Sequence, residues 1–279
     1  MRLAYQGEPG AYSEAAALQY GGAQAETLPC KSFEDVFDAV TQRRATHGVV
    51  PLENSIGGTI HRNYDLLLDH DLSINGEVEL DVVHCLQALP GTKIGDVKVV
   101  YSHPQALAQC ERYLKDLGAT VEAVYDTAGG AKLVAEQKLA GAAALASRRA
   151  ADVFGLEVLQ EAVQDFEFNI TRFAIIGGAP PADANKTTIV FALPSTPGAL
   201  FKALSVFALR DIDLTKIESR PLAGKPWEYL FYIDFAGYAS DAACARALEH
   251  LSEYALTLRV LGAYPRGHQT NPAKSLSEN

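Results

Sequence analysis

Short apolar segments alternate with helix-like segments through residues 1–177, and this alternation constrains the fold more than any other feature. A further strand is predicted over 76–89, where VELDVVHCL alternates apolar and polar residues. Strand–helix–strand units favour a mostly parallel α/β sheet with helices on both faces. The other predicted strands are 2–6, 47–52, 97–102, 120–125 (TVEAVY) and 170–177, and the predicted helices are about 12–20, 61–69, 103–116, 127–138 and 148–154.

The segment GGAPPADANK at 177–186 has no periodicity and predicts a domain boundary. Beyond it the predicted order of elements becomes βαββαβ over 186–264, with a turn at GKP. This order is typical of a ferredoxin-like unit. Residues 265–279 are polar and predict a flexible tail.

Composition and charge exclude several classes of protein. The chain has 279 residues, enough for about two domains, and its formal charge is 24 − 34 = −10. This charge disfavours nucleic acid and anionic membranes as partners, because both require a basic surface. No run of about 18 apolar residues predicts a transmembrane helix.

The N-terminal segment MRLAYQGEPG lacks the apolar core of a secretion signal, and the four widely spaced cysteines read as buried, reduced thiols. Both features predict a cytoplasmic protein. The histidines show no metal-ligand spacing, and no nucleotide-binding glycine motif or Gly-x-Ser-x-Gly elbow occurs. Neither a metal nor a cofactor is therefore expected.

Four polar clusters stand where predicted strands meet helices or loops, the edge of an α/β sheet at which ligands collect. Each also has an ordinary structural interpretation: a turn, a Gly-rich turn, a capping box formed by Ser102 and Gln105, and a plain strand. In the last cluster, strand alternation puts Thr171 and Arg172 on opposite faces. The clusters are Tyr5–Ser13, Pro51–Ile60, Ser102–Gln109 and Asn169–Phe173.

Two short motifs in the second domain have binding potential. The amides of Gly198–Leu200 could hold a ligand carboxylate at the start of a helix, and Glu218–Pro221 closes the following strand. The alternative is a tight turn and a salt bridge on an edge strand.

Taken in order, these motifs resemble the prephenate dehydratase family from residue 1 to about 264. The matching segments are YQGEPGAYS, PLENSIGG, SHPQALAQC, ASRRAADVFGL, NITRF, PGALFKAL and ESRP. The resemblance implies a two-lobed, periplasmic-binding-protein-like catalytic domain at 1–178, in which strand 170–177 returns to the first lobe. It also implies an ACT regulatory domain at 186–264.

The resemblance further implies conversion of prephenate to phenylpyruvate, CO2 and water in phenylalanine biosynthesis, with no cofactor. Arogenate dehydratases, which give phenylalanine directly, share these motifs and stay an alternative. A non-catalytic amino-acid sensor on the same fold is a second alternative. The short LAGKP loop after Pro221 is similar to that of bacterial members, whereas the segment FALRDIDLTKIESRP resembles plant members.

By resemblance, Thr171 lies at the leaving hydroxyl, and Glu53 is an alternative proton donor if burial raises its pKa. The implied catalytic residues are Thr171, Glu53, Asn54, Ser102 and Gln109. The implied substrate-binding residues are Gly10, Ser13, Ser55, Gly57, Asn169 and Arg172. The implied phenylalanine-binding residues are Gly198, Ala199, Leu200, Glu218 and Ser219. Such sensor domains pair in a homodimer or homotetramer and confer feedback control.

Overall fold

The computed structural model describes residues 1–22, 24–222 and 228–267. These residues form two compact units. The first contains Met1–His70 and Val78–Ala174, and the second contains Asp71–Glu77 and Ile175–Gly267. The predicted GKP turn and the part of the predicted tail from residue 268 onward lie outside the described residues.

Strands and helices follow one another as the alternation predicts. Their bounds are β1 Arg2–Gln6, α1 Tyr12–Gly21, β2 Glu26–Cys30, α2 Phe33–Thr41, β3 His47–Asn54, β4 Gly58–Thr59, α3 His61–Asp69, β5 Ile74–Asp81, β6 Cys85–Ala88, β7 Val99–Ser102, α4 Pro104–Gln109, α5 Glu111–Leu117, β8 Thr120–Ala123, α6 Thr127–Glu136, β9 Ala142–Ala146, α7 Arg148–Phe154, β10 Glu157–Gln160, β11 Ile170–Gly177, β12 Lys186–Ala192, α8 Ala199–Ala208, β13 Leu214–Pro221, β14 Tyr229–Ala236, α9 Ala242–Tyr254 and β15 Thr257–Tyr264.

The mixed α/β fold has three sheets in the described residues. The first runs β2-β1-β3-β11-β5, with β4 beside β3, and β1 is parallel to both β2 and β3. The second runs β10-β6-β9-β7-β8, and it is mixed because β6 is antiparallel to β9 and β10. In the third, β13-β14-β12-β15, every adjacent pair is antiparallel.

Local chemistry explains where several helices begin. Ser32 and Asp35 form a capping box at α2. Asp126 caps α6 by accepting from the Ala128 N–H, and Ser147 caps α7 as predicted. The expected capping box at Ser102 is wrong, because Ser102 ends β7 and His103 is the N-cap of α4.

Three other predictions also need correction. The predicted strand 76–89 is two strands in different sheets, since the chain leaves the first sheet after Asp81 and enters the second at Cys85. The predicted helix 103–116 breaks at Cys110, where the backbone leaves helical geometry (φ −123°, ψ 24°). The pair β2 and α2 was not predicted. Pro29 lies in β2, which is an edge strand, where a missing backbone N–H is tolerated.

All four cysteines are buried and unpaired, as predicted. Within the described ranges, no helix has both the length and the apolar composition needed to cross a membrane.

The second unit buries a charged cluster beside its apolar core. The core lies between α8, α9 and the sheet and includes Phe191, Phe207 and Phe235. The Lys186 ammonium lies 2.6 Å from Glu77 Oε2 and 3.7 Å from Asp234 Oδ2, and all three side chains are buried. These contacts attach the short segment Asp71–Glu77 to the sheet.

The backbones of Gly262 and Ile74 approach each other closely in the same unit. A Cβ added to Gly262 would overlap the Ile74 carbonyl oxygen, which is backbone and cannot rotate away. We expect Gly262→Ala to lower the free energy of unfolding by about 1–3 kcal/mol, measured by urea denaturation. Gly95→Ala is the matched control, because its Cβ would enter open space. Equal stability of the two variants would contradict this account of the packing.

Candidate active site

A cavity of about 500 Å³ lies in the first unit and is lined from both of its sheets. Asn54 and Thr171 enter it from β3 and β11. Gln109 enters it from α4, and Tyr12 and Ser13 enter it from the start of α1. The sequence therefore places polar groups from distant segments around one hollow.

Two backbone N–H groups fix the orientation of the Asn54 amide. Its Oδ1 accepts from Ile56 N at 3.1 Å and from Gly57 N at 2.7 Å. Because a backbone N–H only donates, the Asn54 Nδ2 group must point the other way. It donates to Asn169 Oδ1 at 2.7 Å and to Thr171 Oγ1 at 3.0 Å.

The donor-to-acceptor direction set at Asn54 continues through the hydrogen bonds of three further side chains. Asn169 Nδ2 donates to Gln109 Oε1 at 2.9 Å, and His84 Nε2 lies 3.0 Å from the same oxygen. His84 Nε2 must therefore carry a proton. The Tyr12 hydroxyl lies 2.9 Å from Nδ1 and 2.8 Å from the Val83 carbonyl oxygen, so in the neutral ring its single proton is shared between these two acceptors. We call Asn54, Asn169, Gln109 and His84 the amide chain.

The amide chain leaves Thr171 with a proton to donate. Its oxygen already accepts from Asn54, and its side chain borders the cavity. A ligand oxygen in the cavity can therefore receive the Thr171 O–H. The Gln109 Nε2 group is a second donor. Its hydrogen bond to Asn54 Oδ1 is long, at 3.5 Å, so its protons are available to a ligand.

The cavity wall is acidic. Its lining includes the carboxylates of Glu34 and Asp126 and, within the described residues, no lysine or arginine. Burial raises the pKa of the Asp126 carboxyl, against the N–H groups of Ala128 and Glu8 that lower it. Burial lowers the pKa of His84, which favours the neutral ring used above.

The structure brings together five of the predicted site residues. Asn54, Gln109, Thr171 and Ser13 line the cavity, and Asn169 joins them in the amide chain. Ser13 is 9% exposed, and its hydroxyl has no hydrogen-bond partner among the described residues.

Glu53 and Arg172 do not line the cavity. Strand alternation turns them away from Asn54 and Thr171, and they form an ion pair of 3.1 Å. Arg172 also lies 3.3 Å from the Tyr64 hydroxyl. The opposite-face placement predicted for Arg172 is confirmed. In this placement neither side chain borders the cavity, and the proton-donor role of Glu53 and the substrate-binding role of Arg172 stay predictions.

The hydroxyls of Ser102 and Ser55 bind backbone groups and do not line the cavity. Ser102 is fully buried, and its hydroxyl donates to the Leu145 carbonyl at 2.6 Å. Ser55 Oγ accepts from Ile170 N at 2.9 Å. Neither borders the cavity, and both hydroxyls bind backbone groups; their predicted direct roles stay predictions.

Gly10 and Gly57 allow neighbouring residues to pack closely against the backbone, and neither glycine lines the cavity. At Gly10 (φ +90°) a Cβ would lie 2.6 Å from the Ala150 Cα, so glycine allows α1 to meet α7. A Cβ at Gly57 would overlap the Gln105 amide. In this structure both glycines allow close packing, and their predicted roles as substrate ligands stay predictions.

Sequence reasoning missed His84, Tyr12 and Asp126. His84 was considered only as a metal ligand, and the strand break beside it was not foreseen. Tyr12 stands beside the predicted Ser13. Asp126 precedes a predicted helix, a position that indicates an N-cap.

The predicted effector-binding residues lie on two elements of the second unit. Gly198, in left-handed geometry (φ +76°), is the N-cap of α8, and Ala199 and Leu200 begin that helix. Glu218 and Ser219 lie on β13, an edge strand.

The comparison with known families is decisive. Residues 3–181 match the family described as prephenate dehydratase. The chain belongs to the prephenate dehydratase family. It is also 50% identical over 278 residues to arogenate dehydratase/prephenate dehydratase 2, chloroplastic, of Arabidopsis thaliana, covering 95% of this chain and 73% of that relative. The protein is a dehydratase, a carbon–oxygen lyase.

Solved structures agree with membership of the prephenate dehydratase family. The complex of prephenate dehydratase with L-Phe from Arthrobacter aurescens is 32% identical, with a TM-score of 0.86, over 99% of this chain and 96% of that one. A structure described as GqqA, a novel type of quorum quenching acylase, is 35% identical, with a TM-score of 0.88, over 96% of this chain and 99% of that one.

The cytoplasmic location predicted from the sequence is wrong. Relatives from Arabidopsis thaliana, the dehydratases numbered 1, 2 and 6, are chloroplastic. The prediction used the missing apolar core in residues 1–10, which marks secretion, whereas plastid-targeting segments are amphipathic and rich in serine.

The buried His84 predicts a specific dependence of stability on pH. The ordinary pKa of 6.5 applies to the unfolded chain, and burial lowers the pKa in the folded state. The unfolded state therefore binds the proton first, and stability falls as pH drops below about 6.5 toward the folded-state pKa. We expect urea denaturation from about pH 7.5 to 5.5 to show a smaller loss of stability for His84→Gln than for the wild type.

His61→Gln, which replaces an exposed histidine, is the matched control and should keep the wild-type slope. A His84→Gln slope identical to that of the wild type would contradict the neutral, buried ring.

Proposed function

We propose that the cavity dehydrates and decarboxylates a cyclohexadienyl acid, prephenate or arogenate, with Thr171 at the leaving hydroxyl. One observation carries the proposal. The Ile56 and Gly57 amides orient Asn54 so that Thr171 accepts from it and keeps its own proton for a ligand.

The reaction is a 1,4-elimination across the ring. The bond from ring carbon 1 to its carboxylate breaks, and that electron pair enters the ring as CO2 leaves. A double bond forms between carbons 1 and 2, the neighbouring double bond moves to carbons 3 and 4, and the carbon–oxygen bond at carbon 4 breaks. A proton that ultimately comes from solvent converts the departing hydroxide to water. The product ring is aromatic, which drives the reaction.

The protein stabilises charge that develops on the leaving oxygen. A threonine hydroxyl is a weak acid, so Thr171 acts by hydrogen-bond polarisation rather than full proton transfer. Gln109 Nε2 supplies a second donor, and the amide chain holds both groups before substrate arrives. The buried setting strengthens these interactions by excluding water.

The non-catalytic sensor is the weaker alternative. A receptor needs donors for its ligand. It has no need for a hydroxyl such as that of Thr171, whose proton is directed by the Asn54 amide and, through it, by the Ile56 and Gly57 N–H groups. Membership of the family also favours catalysis.

We further infer the domain organisation that the resemblance implies. Residues 1–178 would form a two-lobed catalytic domain around the first two sheets, and residues 186–264 would form an ACT regulatory domain. The βαββαβ order and the strand order β13-β14-β12-β15 support the second assignment. L-Phenylalanine would bind there and regulate a homodimer or homotetramer. The complex of the Arthrobacter relative with L-Phe supports phenylalanine as the ligand.

Removing the Thr171 hydroxyl should remove most of the rate. We expect Thr171→Val to lower kcat by about 10²–10³-fold, the range for loss of one preorganised donor. Thr171→Ser, which keeps the hydroxyl, should retain most of kcat. Steady-state assays on prephenate and arogenate would measure this, with melting temperature as the folding control. Near-normal turnover by the valine variant would exclude Thr171 from the mechanism.

Phenylalanine should stabilise the protein through α8. A ligand at a hundred times its Kd adds about 2.7 kcal/mol to folding, so the melting temperature of the full chain should rise with L-phenylalanine. Leu200→Glu, in the first turn of α8, should abolish the shift, and Leu209→Glu, an exposed control after the same helix, should keep it. A Leu200→Glu protein that responds normally would contradict the assignment.

A further inference from the structure

We propose that Asp126 and the first turn of α1 form a subsite for the amino-acid end of arogenate, and that Asp126 sets a preference for arogenate over prephenate. The inference rests on the proposed function. It deepens that function by assigning the part of the cavity that distinguishes the two substrates.

The start of α1 offers donors to the cavity. Its N-cap, Ala11, has no side chain that could accept from the first turn, whose N–H groups have no partner within the helix. Ser13, in that turn, is 9% exposed, borders the cavity, and has an unpartnered hydroxyl among the described residues. A ligand carboxylate would satisfy these donors.

The nearby acidic residue of α1 does not compete for them. The Glu14 carboxylate is turned toward Gly10 N at 2.8 Å and Arg149 Nε at 2.7 Å. Its charge is thereby matched by Arg149, which leaves Ser13 directed at the cavity.

Asp126 presents a carboxylate whose partners are all uncharged. It is 8% exposed, borders the cavity, and accepts from Ala128 N at 2.8 Å and Glu8 N at 3.1 Å. Lys132, on the same helix, pairs with the Glu8 carboxylate at 3.1 Å. Within the described residues no cation neutralises Asp126.

Gly7 shows that the donor group and the carboxylate are adjacent. A Cβ built on Gly7 would overlap Asp126 Oδ2 and would lie 3.1 Å from the Ala11 Cβ. The Asp126 carboxylate therefore lies close to Ala11, the N-cap of α1. Donors for an anion and an acceptor for a cation meet at one corner of the cavity.

This corner matches the chemistry of an α-amino acid. Arogenate carries an ammonium and a carboxylate on one carbon, whereas prephenate carries a keto oxygen beside the carboxylate. The ammonium would donate to Asp126 in a charge-assisted hydrogen bond. The keto oxygen would face the same carboxylate with no proton between them.

Helix capping alone explains only part of this arrangement. The cap of α6 requires one acceptor, Asp126 Oδ1, and an uncharged residue such as asparagine or serine caps as well as aspartate. A buried negative charge without a cation is costly, so its presence in a cavity points to a cationic ligand group.

The experiment compares kcat/KM for arogenate and prephenate in the full-length protein. The wild type should prefer arogenate, and Asp126→Asn should lower kcat/KM for arogenate by about 10–100-fold while changing prephenate by less than about threefold, as expected for one charged hydrogen bond. Asp126→Ser keeps a cap acceptor without the charge and repeats the test if the asparagine variant is unstable.

Two further variants serve as controls. Glu34→Gln neutralises the other lining carboxylate, which already pairs with Arg62, and should leave the substrate ratio unchanged. Ser13→Ala should lower kcat/KM for both substrates alike, because both carry the side-chain carboxylate.

A wild type that prefers prephenate, or a folded Asp126 variant that keeps the arogenate preference or loses both substrates equally, would overturn the inference. A wild type that turns over neither substrate would instead contradict the proposed function.

Discussion

Two hydrogen bonds from backbone amides to one side-chain oxygen determine the proposed chemistry of this enzyme. Ile56 N and Gly57 N hold Asn54 Oδ1, and every other donor and acceptor in the amide chain takes its direction from that constraint. The backbone cannot reverse its polarity, so the direction persists through each amide to the tautomer of His84. A network set by side chains alone could invert; this one cannot without breaking the loop after β3.

The cavity depends on two sheets remaining close together. Asn54 and Thr171 belong to the first sheet, and Gln109 follows a strand of the second. Ser147 Oγ, at the start of α7, donates to the Gly10 carbonyl at 2.6 Å, and glycine at this position lets the two helices meet. These contacts do not border the cavity, yet they bring together the donors that surround it.

Strand periodicity and motif order predicted much of the fold and the centre of the site, and their failures have a physical cause. Thr171, Asn54 and Gln109 were identified from motifs that resemble the family; Asn54 follows a predicted strand, Gln109 lies on a predicted helix and Thr171 lies near the start of a predicted strand. The strand alternation that placed Arg172 on the far face also places Glu53 opposite Asn54. The prediction for Glu53 followed the family motif instead of this alternation. His84 was missed because only tertiary structure shows that the chain changes sheets beside it; local sequence reads 76–89 as continuous.

The withdrawal of every cysteine from solvent has a consequence for control of the enzyme. Burial raises the pKa of each thiol, to about 12 for Cys110, so the reactive thiolate is scarce at neutral pH. Oxidants and thiol-exchange proteins thus find no nucleophile within reach. The four cysteines of this chain are therefore poor targets for oxidative modification.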